Sequence, residues 1–231
     1  MTAGTQYVYD GAAWQAANSP ATPPANQVDN YPAPGSYSIT PPVGARFFWF
    51  EGIGSGGGRA GAGNTYQCGA GGGEYTDGVG AVEAFSWPQT LVVADAAGTN
   101  LPGNPTTFAG MIAAGGEPGS ASTSAATGSV WPPGGGAGTS IRQTTAPAYT
   151  PNTAGGWGAP DTNNGRSSRL GGGGGSKTGT PGTGGTDAAA LGRLQAGNGG
   201  NSTTPPTAPG GGAGAGSQPM VPGGARITWI F

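Results

Sequence analysis

Few side chains in this sequence can support covalent or acid–base chemistry. The 231-residue chain has no histidine and a single cysteine, Cys68, so the serine–histidine arrangement of many hydrolases is absent. A glycosidase needs two carboxylates held close together. Glu74, Asp77 and Asp95 stay open as candidates for such a pair, but no motif singles them out. The sequence therefore predicts no catalytic residues and a protein that is not an enzyme.

The same residues argue against metals, cofactors and nucleic acid. A Cys/His metal cluster cannot form without histidine, and the run Gly-Gly-Gly-Arg at 56–59 lacks the Gly-Lys-Ser/Thr ending of a phosphate loop. Eight Lys and Arg residues are scattered along a chain of net charge −2, whereas binding a phosphate backbone requires clustered positive charge. No stretch approaches the ~20 apolar residues of a membrane span. We expect no metal, no cofactor, no nucleic-acid partner and no membrane insertion.

Large side chains in the small-residue middle of the chain are the candidates for binding. Aromatic faces combined with Asn and Asp hydrogen bonding suit sugar or protein surfaces. The candidate receptor-binding residues are Trp131, Tyr149, Trp157, Asp161, Asn163 and Arg166. The alternative is that these aromatic residues cap glycine-rich segments or fill an oligomer interface.

Glycine dominates the segments that would have to position those residues. It occurs 52 times, mostly in clusters, and Gly and Pro together reach about a third of the chain, which is the low-complexity range. Only 8 % of the residues are charged, whereas disordered chains usually carry high charge. Either backbone packs directly against backbone, or a disordered Gly/Ser/Pro tail follows a small β domain.

Apolar β patterns frame the glycine-rich sequence and predict an antiparallel β frame at 36–53, 82–95 and 225–231. Tyr37 and Ile39 alternate with polar residues, and a dense aromatic strand follows at 46–53. The chain ends in Ala-Arg-Ile-Thr-Trp-Ile-Phe, which resembles the Ala-Arg-Phe-Phe-Trp-Phe of the aromatic strand. We expect the C-terminal strand to pair with residues 46–53 and close the frame.

The remaining glycine-rich sequence, 54–81 and 113–224, has almost no helix or strand signal. Polyproline II segments have no internal hydrogen bonds, so neighbouring segments can bond to one another where glycine lets the backbones approach. The expected fold is all-β or irregular with almost no helix. It consists of the β frame and a glycine-rich polyproline-II-type bundle with long loops. A helical turn or two is expected only at 187–194.

Residues 1–33 are interpreted as an N-terminal docking arm or linker that precedes a glycine-rich domain at 34–231. A short strand is expected at 6–9, with a turn at Asp10-Gly11 leading to Trp14. The sequence from Asn18 to Pro34 is typical of an extended linker. A frayed terminus is the alternative.

The order of features from 34 to 231 resembles that of a known family. It begins with Pro-Gly-Ser-Tyr-Ser-Ile-Thr-Pro-Pro at 34–42, an aromatic strand entering Gly-Ile-Gly-Ser-Gly-Gly-Gly at 52–58, and Gly-Ala-Gly-Gly-Gly-Glu-Tyr at 69–75. It ends with Gly-Gly-Ala-Arg-Ile-Thr-Trp-Ile-Phe at 223–231. In this order the chain resembles glycine-rich phage tail-fibre and tail-tip proteins, including adhesins with polyglycine/polyproline-II sandwiches. The resemblance implies a virion component near the receptor-binding end, with loops that contact a host surface glycan or protein.

We therefore expect a non-enzymatic structural protein of a bacteriophage tail fibre or tail tip that contributes to host attachment. It would be assembled in the host cytoplasm and exposed on the particle surface. Residues 1–33 would dock it to other tail or capsid proteins. A homotrimer is one possible oligomeric state. The alternative is a decoration protein, such as a head fibre or capsid-surface knob, with no receptor role. A free ice-binding or matrix protein would need export, for which the sequence after Met1 carries no signal.

Overall fold

The protein is nearly all β in the part of the chain that the structure describes. The computed structural model describes residues 7–9, 14–16, 25–59, 66–67, 69–119, 121–122, 155, 165, 167–176, 179–214 and 219–231. Within these ranges the helical structure is limited to one 3-10 turn, Val82–Ala84. The predicted all-β class with almost no helix is confirmed.

Twelve strands are present in the described ranges. They are β1 (Tyr7–Tyr9), β2 (Trp14–Ala16), β3 (Gln27–Tyr31), β4 (Gly35–Ile39), β5 (Phe47–Ile53), β6 (Tyr66–Gln67), β7 (Tyr75–Ala81), β8 (Gln89–Val93), β9 (Thr106–Phe108), β10 (Met111–Ala113), β11 (Ala121–Ser122) and β12 (Gly224–Ile230). Two four-stranded antiparallel sheets have the orders β3-β12-β5-β7 and β10-β9-β8-β4, while β1-β2 and β6-β11 form separate pairs. Strand β1 lies where the sequence predicts a short N-terminal strand.

The C-terminal strand closes the first sheet as predicted. Strand β12 runs antiparallel to β5 with Gly224 opposite Ile53 and Ile230 opposite Phe47. On its other side it pairs with β3. Since β12 is a central strand, both of its edges are hydrogen-bonded. It joins the C-terminal segment to β3 and β5, which lie early in the chain.

The hydrophobic core lies between the two sheets. Alternation along β5 and β12 points Phe48, Phe50, Ile227 and Trp229 inward, where each is at most 1 % exposed. Their partners from the second sheet include Leu91, Val93 and Phe108. The Phe48 ring meets its aromatic neighbours edge-on at centroid distances of 5.4–6.2 Å, an arrangement that aromatic quadrupoles favour.

Strands β3 and β7 lie in sequence for which other structures are predicted. Gln27–Tyr31, within the expected linker, is an edge strand whose Asp29 carboxylate accepts a 2.7 Å hydrogen bond from Trp229 Nε1. Tyr75–Ala81, within the expected glycine bundle, is the opposite edge strand. Glycine is needed there because a Cβ at Gly80 would lie 2.5 Å from Cζ of Phe48. Gly80 therefore makes room for the aromatic ring of Phe48.

Glycine-rich segments lie side by side beyond the end of the first sheet at which β5 ends and β12 begins. We call them the glycine bundle, comprising 54–59, 69–74, 101–104, 114–119, 171–176, 182–185, 196–200 and 210–214. Their backbone amides donate to carbonyls of other segments, as from Gly73 to Gly210 at 2.7 Å and from Gly172 to Gly73 at 2.8 Å. Lateral bonding between glycine-rich segments is thus present, while their polyproline II conformation stays a prediction.

At 187–194, where a helical turn or two is expected, the chain forms hydrogen-bonded turns. The amide of Leu191 donates to the carbonyl of Asp187, but the chain reverses at Gly192, whose φ is +64°. Asp187 forms an exposed ion pair with Arg169. A glycine in the left-handed region ends the helical geometry after a single turn.

Candidate functional site

The molecule has two unlike ends, which the strand directions define. Strand β5 ends at Ile53 where the glycine bundle begins, and β12 starts at Gly224 beside it. The opposite end, here called the terminal pole, holds the start of β3 at Gln27 and the chain end at Phe231. Gln27 and Phe231 therefore lie at the end of the sandwich farthest from the bundle.

The far end of the glycine bundle is the second end, here called the loop pole. Hydrogen bonds of 2.9 Å join Gly58 to Leu101, Asn100 to Arg59 and Gly119 to Gly58. Four stretches outside the described residues begin just beyond this end, following Arg59, Ser122, Ser176 and Gly214. Arg59 and Ser176, which border two of these stretches, are held by backbone hydrogen bonds with Asn100 and Gly200.

The receptor-binding residues predicted from the sequence fall outside the described ranges. These are Trp131, Tyr149, Trp157, Asp161, Asn163 and Arg166. Trp131 and Tyr149 belong to the stretch 123–154, which follows Ser122 at the loop pole. Their role in binding stays a prediction.

A buried ion network lies on the outer face of the first sheet. Glu51 is completely buried, and its carboxylate accepts hydrogen bonds from the Tyr75 hydroxyl at 2.8 Å, from the Leu194 amide at 2.8 Å and from Arg226 Nε at 2.6 Å. Arg226 also donates to the Gly192 carbonyl at 2.6 Å. The network ties residues 186–194, here called the clamp loop, to the sheet.

Asp77 forms the second half of this network. It lies directly opposite Glu51 in the β5–β7 register, and Asp77 Oδ2 receives hydrogen bonds from Arg193 and from Trp49 Nε1. The Arg193 guanidinium lies 4.4 Å from the centre of the Trp49 ring, which adds a cation–π contact. Asp77 Oδ1 is buried without a hydrogen-bond partner.

Burial raises the pKa of two groups in this network, Asp77 and Tyr75. It raises the pKa of Asp77, and this effect outweighs the lowering by Arg193 and the Trp49 hydrogen bond. Burial also raises the pKa of Tyr75 far above its usual range, with the Glu51 carboxylate adding to the effect. Tyr75 therefore stays a neutral hydrogen-bond donor.

The two carboxylates of this network are engaged in contacts within the fold. Glu51 and Asp77 are neighbouring carboxylates, as a glycosidase would require, but each is bound to an arginine and covered by the clamp loop. Glu74 accepts the Ala114 amide at 3.1 Å, and Asp95 accepts the Ala96 amide at 2.7 Å. Glu74 and Asp95 thus bind backbone amides, whereas Asp77 binds the side chains of Arg193 and Trp49.

Sequence reasoning found Asp77 but missed its partners. Glu51 gives a local signal, since a charged residue interrupts the aromatic run of β5. Arg193 gives none, because it lies 116 positions from Asp77 and comes close only through the fold.

A shallow cleft of about 510 Å³ opens on the side of the second sheet. Its floor includes Pro34 and Val92, and its polar rim includes Asp95, Asn104 and Thr107. The Asn104 side chain donates to the Asp95 carbonyl at 3.1 Å, so part of the rim is already engaged.

Metal and membrane features are not found in the described ranges. They hold no cluster of three or more Cys, Asp or Glu residues able to bind a metal ion. No helix within them has the length and apolar character needed to cross a bilayer. No model of a known protein family matches the sequence, and no curated protein matches it.

Proposed function

We propose that this protein is a non-enzymatic structural component of a bacteriophage tail fibre or tail tip. In this proposal the terminal pole attaches to other tail or capsid proteins through residues 1–33. Loops at the opposite pole contact a host surface glycan or protein. The observation that carries the proposal is the separation of Gln27 and Phe231 from the loop pole by the sandwich and the glycine bundle.

The glycine bundle suits a rigid, weakly charged spacer. Its amides are bonded to carbonyls of neighbouring segments, for example Gly57 to Gly71 and Gly212 to Gly173. A Cβ at Gly56 would lie 2.0 Å from the Gly211 carbonyl oxygen, so the segments approach at backbone distance. We infer polyproline II geometry because such segments leave N–H and C=O groups free to bond outward. Backbone chemical shifts of these glycines test this geometry.

Host adsorption tests the proposed receptor role. Replacing Trp131 and Trp157 together with alanine should abolish adsorption of the particle, while incorporation of the protein stays normal. Val43→Ala is the matched control, since Val43 is fully exposed at the terminal pole and should leave adsorption unchanged.

Normal adsorption of particles carrying the double variant would reject these two residues as the receptor site. A cryo-EM map of the same particles locates the protein. A position on the capsid, together with normal adsorption, would favour the decoration role over the tail role. The map also shows whether the protein is a homotrimer.

A further inference from the structure

Half of the outer face of the first sheet is apolar and uncovered. Strands β3, β12, β5 and β7 place a set of neighbouring residues on this face at the terminal pole. We call this set the open half-face, and it comprises Val28, Phe47, Trp49, Val79, Ala81, Thr228 and Ile230. Val28, Phe47 and Val79 are 43–49 % exposed, and the set contains no charged residue.

The other half of the same face is covered. Ile53 and Tyr75 are fully buried there beneath Leu170, Leu194 and Ala196. The clamp loop reaches only as far as Trp49, through Arg193. The sheet therefore changes from a packed to an open surface across two residues of β5.

The N-terminal hairpin has only two short strands. Strands β1 and β2 pair antiparallel with Tyr9 opposite Trp14. An isolated two-stranded hairpin is marginally stable in water, and the six strand residues include three aromatics and no charge. Such a hairpin gains stability by packing against an apolar surface.

The connection between the two elements fits this packing. Residues 17–26 separate β2 from β3, and a chain of that length spans at most roughly 33–36 Å. Strand β3 starts at Gln27, next to Val28 of the open half-face. The four strands of the sheet span only about 15 Å between the outer two, so the linker reaches all of the open half-face.

We propose that the hairpin formed by β1 and β2 packs on the open half-face of the same chain. In this arrangement strands β1 and β2 of the N-terminal arm fold back onto the first sheet. The terminal pole then has an ordered surface. This inference is independent of the proposed receptor role.

Hydrogen exchange of the full-length chain tests the packing. Amides in Tyr7–Tyr9 and Trp14–Ala16 should exchange at least about tenfold more slowly than in the isolated peptide 1–24, because docking adds to local stability. Val79→Asp places a charge on the open half-face and should remove this protection. Leu101→Asp changes a similarly exposed apolar residue at the loop pole and should leave the protection intact.

Three results would overturn the proposal. Hairpin amides that exchange as fast in the chain as in the peptide would show that no docking occurs. Protection that survives Val79→Asp, with the variant's core amides also protected, would place the hairpin elsewhere. Protection that rises with protein concentration would assign the surface to a second copy of the chain.

Discussion

Substituting a single glycine in the bundle provides a direct test of backbone-to-backbone packing. Gly72 is buried, and a Cβ placed there would lie 2.0 Å from the carbonyl oxygen of Gly172 and 2.4 Å from its carbonyl carbon. Both obstructing atoms belong to the backbone, so no side-chain rotation relieves the clash. Gly72→Ala must push the two segments apart by about 1 Å or more to restore ordinary contact distances.

The cost follows from the hydrogen bonds that this movement breaks. Gly172 donates to the Gly73 carbonyl, and Gly175 donates to the Ala70 carbonyl, both at 2.8 Å. A movement of about 1 Å stretches such bonds beyond the usual range. Each buried group left unsatisfied costs about 1–3 kcal/mol, so Gly72→Ala should lower the free energy of unfolding by about 2–6 kcal/mol.

Gly192→Ala is the matched control for this substitution. Gly192 has a φ of +64°, and a Cβ at this position would meet no atom within 4 Å. Alanine there therefore costs only the strain of the left-handed backbone, about 1–2 kcal/mol. Urea unfolding of both variants, followed by tryptophan fluorescence, measures the two free energies. A loss for Gly72→Ala no larger than that for Gly192→Ala would refute close packing of the bundle.

Two further predictions concern the frame and the ion network. Deleting residues 227–231 removes Ile227 and Trp229, which are at most 1 % exposed, and should unfold the domain; a native-like circular dichroism spectrum of the truncated chain would contradict this. Asp77→Asn should flatten the pH dependence of stability. The raised pKa of Asp77 means that the folded state binds its proton more tightly, so this residue's contribution falls as pH rises above the usual value near 4. Urea unfolding at pH 4 and pH 7 measures how the free energy of unfolding changes with pH in the Asp77→Asn variant and in the unsubstituted protein. An equal change in the two proteins would contradict a raised pKa for Asp77.

The β frame was the part of the fold that the sequence predicted best. The apolar runs at 46–53 and 225–231 were predicted to form strands, and β5 and β12 pair as expected. Gln27–Tyr31 escaped prediction because an edge strand buries little and its sequence is correspondingly polar. Its place depends on pairing with β12, which lies at the other end of the chain.

The ion network shows a second kind of limit. Glu51 and Asp77 are neighbours because of the β5–β7 register. This register could not be predicted, because β7 lies in glycine-rich sequence without a strand pattern. Arg193 contacts Asp77 because the clamp loop, which lies far along the chain, packs against the sheet. Local patterns carry no information about contacts that depend on such a long return of the chain.

Glycine serves two physically different purposes in this chain, and composition alone does not separate them. At Gly52 and Gly80 a Cβ would meet the rings of Phe50 and Phe48 at 2.6 and 2.5 Å, so these glycines make room for aromatic side chains inside a sheet. At Gly72 and Gly172 the obstructing atoms are carbonyls of other segments, so these glycines allow backbones to touch. The first use needs an aromatic residue on the same or the paired strand, whereas the second needs another glycine-rich segment elsewhere in the chain. The neighbours of a glycine cluster, rather than its length, therefore indicate which structure it builds.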